Sequence, residues 1–328
     1  MSAECPVNPG TSTVPQANTA RTATTWNTGS RCCVAAKACH SARAPPGAFG
    51  AAACSCAAVL VVAPLVPVQP PGQIFGAGAN YREHVIQITV AHRLGAADAS
   101  EEELRKQAAR EIDERAAHGE PYVWVGVPSA ISGPYDDVIL PDVGENHDWE
   151  LELGVIIGKV TRAVSAEEAL DSVAGYTICN DLTTRSLVGR ADIPMMGTDW
   201  MRAKNQPTFY PTGPYLVPAR FVPDPLDLDI RLRLNGKTMQ KGATSDMIFG
   251  PAALISYISR HVTLQPGDMI ITGSPSENGS HYGRFLQPGD VMDCEISGLG
   301  AQRTVCRAAS SSAVRTVRTG SRAARRGR

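Results

Sequence analysis

The chain reads as a mainly β, α+β protein with few helices, and three observations predict this. Leu226 to Leu234 alternates apolar and charged residues without a break, the period of a strand with one buried face. Asn235-Gly236 follows at once and makes a type I′ hairpin turn, because both residues tolerate positive φ. Two Pro-Gly-Asp turns, at Pro266 and Pro288, each lead into a segment that reads as a strand. Strand-rich chains of this kind bury their apolar faces by curling or stacking sheets.

The 328 residues allow two domains or one large β-rich domain. The formal net charge of −1 gives no reason to expect a nucleic-acid partner. Charge is unevenly placed: Glu4 is the only acid before Glu83, and none follows Glu295. Six of the nine cysteines fall between Cys5 and Cys56. Cys179 and Cys294 sit in apparent core strands, where a small buried thiol is the usual explanation. With no CxxC pair, a reducing compartment follows. The longest apolar run, Ala57 to Val66, is too short to span a membrane and carries Pro64.

In chain order, residues 1–58 are rich in Ala, Thr, Ser, Pro and Cys with no period, and read as disordered. A mitochondrial transit peptide is the alternative for this acid-poor segment, although it lacks an amphipathic period. The folded domain is placed at 59–307. Val59 to Val68 reads as a strand and a Pro-rich connector, and Gln73 to Gly76 as a short strand entering a Gly-rich turn. Gly76-Ala77-Gly78 lacks the third glycine of a dinucleotide loop. His84 is placed in the loop that follows. Ser100-Glu101-Glu102-Glu103 is a capping box opening a helix to about Ala117, with Leu104, Ala108, Ile112 and Ala116 as its stripe and Gly119 as its stop. Residues 84–120 therefore form a lid or insertion. A second capping box, Ser165 to Glu168, opens a short helix to Val173 and Gly175. Ala252 to His261 is a helix with Leu254, Ile255 and Ile258 inward. The Arg/Ala/Ser-rich stretch after Gly300 resembles the N-terminal appendage, and 308–328 is assigned as a basic disordered tail.

The chemistry-bearing stretch is Asp148 to Gly158. On a strand, Asp148, Glu150 and Glu152 point to one side and Trp149, Leu151 and Leu153 to the other. A second strand, Tyr176 to Asn180, ends at Asp181. Glu150, Glu152 and Asp181 together would make an all-oxygen site for a hard cation, Mg²⁺ or Mn²⁺ with Ca²⁺ as a further candidate. Three protein ligands leave corners open for water and substrate, as catalytic metal sites do. The bland alternative is an edge strand with a solvated acidic face.

Several motifs in one order make the site specific: Gly76-Ala77-Gly78-Ala79-Asn80-Tyr81-Arg82-Glu83-His84, Trp149-Glu150-Leu151-Glu152, Asn180-Asp181-Leu182-Thr183-Thr184-Arg185, Ala203-Lys204, Thr272-Gly273-Ser274-Pro275 and Gln287-Pro288-Gly289-Asp290. From about Pro70 to Gly300 the chain resembles the fumarylacetoacetate hydrolase family. The resemblance implies a rolled mixed β-sandwich, a homodimer, and a small 2-oxo acid substrate held through a metal-stabilised enolate. It implies Glu150, Glu152 and Asp181 as metal ligands, His84 as base and Lys204 as the cation beside the metal. Tyr81, Arg82, Gln87 and Ser274 are assigned to substrate binding. The family places Glu three residues after the histidine, where this chain has Gln87. An amide cannot accept a proton, so water activation is the step this departure touches.

The expected reaction is C–C hydrolysis of an acylpyruvate or fumarylacetoacetate-like acid. The runners-up are an oxaloacetate-type decarboxylase and a 2-hydroxymuconate-type isomerase or hydratase. A catalytically impaired, metal-binding structural dimer is the alternative of another class. The cytoplasm is the expected location, with no membrane partner.

Overall fold

The computed structural model describes residues 66–68, 71–95 and 98–309. The expected N-terminal appendage, most of the Val59–Val68 strand and connector, and the tail after residue 309 lie outside the described residues. In chain order the strands are β1 (Ile74–Gly78), β2 (Tyr122–Gly126), β3 (Ile131–Ser132), β4 (Val138–Leu140), β5 (His147–Asp148), β6 (Leu151–Ile157), β7 (Val173–Asn180), β8 (Thr183–Thr184), β9 (Tyr210–Pro211), β10 (Val217–Pro218), β11 (Asp229–Leu234), β12 (Lys237–Ala243), β13 (Met269–Ile271), β14 (Val291–Ile296) and β15 (Gly300–Ala308). The helices are α1 (Arg82–Ala91), α2 (Glu101–His118), α3 (Ala166–Ala169), α4 (Trp200–Lys204), α5 (Pro251–His261) and α6 (Gly279–Tyr282).

Two mixed sheets carry the fold. One has six strands in the order β10-β7-β6-β13-β1-β2, with only β1 and β13 parallel. The other has five, β12-β11-β14-β15-β4, with β15 and β4 parallel. Alternate residues of β6 (Leu151, Leu153, Val155) and of β11 (Ile230, Leu232, Leu234) meet in one core, which Leu254, Ile255 and Ile258 of α5 extend. Each such side chain contributes about 1.5–3 kcal/mol by leaving water. The opposite face of the six-stranded sheet is also covered: Ile74, Trp124, Ile156, Tyr210, Met269 and Ile271 form a second cluster. The side of β6 that carries Glu152 therefore runs into an apolar interior and not into solvent.

The Asn235-Gly236 hairpin joins β11 to β12 with φ of 52° and 82°, as its turn type requires. Ser100 caps α2, its hydroxyl accepting from Glu103 N while the Glu103 carboxylate accepts from Ser100 N. Leu104, Ala108 and Ile112 are buried, but Ala116 is exposed, so the stripe stops one turn early.

Four expectations are corrected. The strand at 226–234 begins only at Asp229, because Leu226 lies in a turn held by Asp224 Oδ1. The helix opened by Ser165 ends by Ser172, and Val173 and Gly175 belong to β7. Their β-branched and aromatic successors pair with β6, and that pairing outweighs the cap signal. The stretch after Gly300 is no appendage as far as Ala308: β15 pairs with β14 on one side and β4 on the other, burying Gln302, Thr304 and Cys306. His84 lies in the first turn of α1 and not in a loop. The run Val85-Ile86-Gln87-Ile88-Thr89-Val90 has strand-like propensity, yet Ile86 packs on Ala108 and Ile112 of α2, and that contact holds it helical.

Candidate functional site

The antiparallel register of β6 and β7 builds the site. Leu151 faces Asn180 and Glu152 faces Cys179. Continued one step outward, Glu150 lies opposite Asp181, and Asp181 N donates to Glu150 O at 2.8 Å. Directly opposed residues on one sheet face have Cβ atoms about 5 Å apart. Carboxylate oxygens of Glu150, Glu152 and Asp181 accordingly lie within 4.8 Å of one another. All three side chains are buried.

Two cations answer this charge. Lys204, at the end of α4, donates through Nζ to Glu150 Oε2 (2.6 Å), to Asp181 Oδ2 and to Thr183 Oγ1 (2.9 Å). Arg185 donates from Nη2 to Glu150 Oε1 (2.6 Å) and from Nε to Asp148 Oδ2 (2.8 Å). Asp148, fully buried, also accepts from the N–H groups of Gly279 and Ser280. It is thus the anchor of Arg185 and has no place in the triad. Glu152 Oε2 accepts from Gly273 N at 2.7 Å. That approach needs glycine: φ is +90°, and a Cβ would lie 3.1 Å from Ala77 O.

The protonation equilibria follow the same geometry. Burial would raise Glu150, but Arg185, Lys204 and His84 together hold its carboxyl well below the usual range. Burial and the neighbouring Asp181 charge push Glu152 well up. Asp181 is pushed up to about 7 by burial and by Glu150, against the pull of Lys204. Burial alone would lower Lys204, but the three carboxylates hold it protonated above its ordinary value. The cluster is short of positive charge, and Asp181 Oδ1 is buried without a hydrogen-bond partner. An all-oxygen donor set, an orphaned carboxylate oxygen and excess negative charge fit a hard divalent cation.

A cavity of about 230 Å³ opens on this cluster, and Glu150, Glu152, Lys204, Arg185, His84 and Ser274 line its polar side. Burial, and secondarily Arg185, lowers the His84 pKa against the pull of Glu150, which keeps the imidazole neutral. Ser274 Oγ accepts from Gln240 Nε2 (2.8 Å) and donates to Pro275 O (3.0 Å). The structure brings His84, Lys204, Ser274 and the triad together. Tyr81, Arg82 and Gln87 lie outside the cavity lining. Tyr81 is fully buried in the main core, and Arg82 pairs with Asp113 of α2 at 2.6 Å. Gln87 Oε1 accepts from Glu277 N at 3.2 Å, tethering a loop. Glu83, a conceivable substitute base, pairs with Arg105.

Sequence reasoning missed the aromatic wall of the cavity. Trp124 and Trp200 rings lie 5.0 and 5.4 Å from Lys204 Nζ, and Trp200 Nε1 donates to Tyr122 Oη at 2.6 Å. The available signal was the spacing of two glycines against two aromatics. Gly76 pairs with Trp124 and Gly78 with Tyr122 across β1 and β2. A Cβ on either would strike the opposing ring, at 2.2 and 2.8 Å.

The family profile described as fumarylacetoacetate (FAA) hydrolase C-terminal matches residues 73–307. The chain belongs to the fumarylacetoacetate hydrolase family. It is similar to a 2,4-didehydro-3-deoxy-L-rhamnonate hydrolase of Sphingomonas sp. (strain SKA58), 39% identical over 73% of this chain and 74% of that one. It is also similar to a mitochondrial oxaloacetate tautomerase of Bos taurus, 36% identical over 72% and 67% of the two chains. Among solved structures, a fumarylacetoacetate hydrolase from Exiguobacterium antarcticum superposes with a TM-score of 0.60 at 31% identity, covering 75% and 78%. A maleylpyruvate hydrolase from Sphingobium sp. SYK-6, in complex with manganese(II) and pyruvate, does so at 0.56 and 30%, covering 75% and 74%. The two-sheet α+β architecture is thus the fold of this family, whose members here are hydrolases, tautomerases and isomerases. No helix among the described residues is long and apolar enough to cross a membrane.

Proposed function

We propose that this chain is a divalent-metal-dependent enzyme of small 2-oxo acids, cleaving the C–C bond of an acylpyruvate-like substrate by hydrolysis. One observation carries the reading: three buried carboxylates converge with one Asp181 oxygen orphaned, and two of them, Glu150 and Glu152, line a cavity that His84 also lines. Glu150, Glu152 and Asp181 would hold Mg²⁺ or Mn²⁺, which supplies Lewis acidity toward the 2-oxo oxygens when bound. A manganese ion and pyruvate in the maleylpyruvate hydrolase neighbour support this choice.

The chain's own groups then divide the work. His84, neutral through burial, takes a proton from water at its free imidazole nitrogen as the water oxygen bonds to C4 of a 2,4-dioxo acid. The C3–C4 bond breaks, and its electron pair passes into the 2-oxo half as an enolate. Lys204 is the nearby cation for that charge. His84 returns that proton at C3, which restores both the neutral imidazole and the 2-oxo acid, and C4 leaves as a carboxylic acid.

A second reading, keto–enol tautomerisation, is favoured by Gln87. Its amide accepts from Glu277 N and supplies no carboxylate to help His84 activate water. A proton moved by His84 between C3 and the 2-oxygen needs no water at all.

The test is turnover of 2,4-dioxopentanoate and enolisation of oxaloacetate with Mg²⁺ or Mn²⁺, for the parent and for Glu150→Gln. Hydrolysis lost in the variant supports the first reading. Enolisation alone supports the second. No turnover of either, with the metal bound, leaves a binding protein. A Gln87→Glu variant that gains hydrolysis would locate the missing base.

We also propose a homodimer in the cytoplasm. Met195, Met196 and Met201 are 92%, 68% and 72% exposed, and a second copy would give them cover. Light scattering in solution reads the assembly.

A further inference from the structure

We propose that the site selects 2-oxo monocarboxylic acids whose distal end is neutral, and rejects acids with a second, distal carboxylate. This deepens the reading above and rests on it.

The two walls of the cavity change character in the same direction. On β2, Trp124 is 6% exposed and sits over Lys204, while Tyr122 is 46% exposed. The two are two residues apart, roughly 7 Å along a strand, on one face. Going outward from the lysine, this wall is aromatic throughout. On α1, His84 is buried and Ile88 half-buried, and a spacing of four puts both on one side of the helix. That wall passes from imidazole to aliphatic. Trp200 closes the gap, its indole N–H held by Tyr122 Oη. A substrate with its 2-oxo acid end at the carboxylate cluster therefore lays its distal end between Tyr122, Trp200 and Ile88.

Among the described residues, no further cation lines that end of the cavity. Among the described residues, the cationic side chains lining the cavity are Lys204, Arg185 and His84. Lys204 and Arg185 are committed to the acids of the cluster. His84 lies at the inner end of its helix wall, beside the carboxylate cluster. Arg115 of α2 donates to Ala79 O (2.7 Å) and stacks on Phe249. Arg82 is bound to Asp113. A distal carboxylate would lose water against aromatic faces with no counter-charge, which is costly. A hydroxyl, carbonyl or hydrocarbon tail meets no such penalty. The Tyr122 hydroxyl is the polar group at hand for one neutral oxygen.

The experiment compares 2,4-dioxohexanoate with 2,4-dioxohexanedioate on the metal-loaded full chain. We expect kcat/KM for the monoacid to exceed that for the diacid on the order of 100-fold. Ile88→Arg places a cation at the outer wall and should narrow or reverse the ratio, chiefly through KM for the diacid. Equal or greater turnover of the diacid by the parent overturns the proposal and leaves the enzymatic reading standing. If neither acid turns over, the enzymatic reading fails. Quenching of tryptophan fluorescence by each acid then decides the tail preference: tighter monoacid binding supports it, and equal or tighter diacid binding overturns it.

Discussion

Two regions of this molecule put charged side chains at alternate positions of a strand. On the outer face of the five-stranded sheet, Arg231 faces Glu295 and Asp293 faces Arg303 across neighbouring strands. Each pair forms an ion bridge. Along β11 buried and more exposed residues alternate, so every charge there keeps its water. Around β6, Glu150 and Glu152 have the same period, but the face they occupy continues into Ile156 and the second apolar cluster. Here Asp181 is set opposite Glu150, and two carboxylates face each other out of water. The first region needs nothing more. The second needs positive charge, and Lys204 and Arg185 supply only part of it. Patterned charge becomes chemistry when packing removes the solvent that would otherwise screen it.

The largest effect should come from taking away the buried counter-charge. Lys204→Met leaves Glu150 and Asp181 facing each other, and breaking a buried pair in this way costs about 3–5 kcal/mol. Thermal unfolding in chelator should show that loss, and saturating Mn²⁺ should return part of it. A metal-free protein as stable as the parent would mean that the acids simply keep protons, and that the lysine is not their counter-charge. Next comes Gly76→Ala. Its Cβ would meet the Trp124 ring at 2.2 Å, so the ring must leave the cavity wall, at a cost of about 1–3 kcal/mol. The urea midpoint should fall and tryptophan emission should shift. An unchanged midpoint would show that the wall is soft.

A pH effect of intermediate size should come from His84. Its folded pKa lies below the ordinary 6.5 because burial disfavours the charged ring. The unfolded chain therefore binds the proton more readily, and this contribution to stability is lost as pH falls below about 6.5, with a slope of at most about 1.4 kcal/mol per pH unit. His84→Gln should flatten that part of the stability curve relative to the parent. If the two curves run parallel, the ring is not desolvated. The smallest effect belongs to the outer face. Arg231→Ala should cost about 0.2–1 kcal/mol, less at high salt, and leave turnover unchanged. A larger, salt-insensitive loss would erase the contrast between the two regions.

Local signals were legible wherever a single residue's backbone or cap decides the outcome. The Asn235-Gly236 turn, the Ser100 capping box and the Pro-Gly-Asp turns before β13 and β14 all stand where the chain places them. So do Glu150, Glu152 and Asp181, because a period of two on one strand and an acid at the end of its neighbour survive translation into space. Signals failed where propensity and packing disagree. The β-branched run after His84 is helical because α2 offers Ile86 a partner. Arg- and Ala-rich β15 is a strand because β14 and β4 flank it.

Residue order alone thus carried the strand-rich class, the turns that punctuate it and the positions of the three acids. Register and packing set the rest: Glu150 stands opposite Asp181, Lys204 comes from a distant helix to lie between them, and Trp124, Tyr122 and Trp200 wall the cavity. The reason is physical. Caps, turns and strand periods depend on neighbours a few residues away, whereas register and burial depend on which distant segment arrives alongside, and that choice is made by the packing of the whole core.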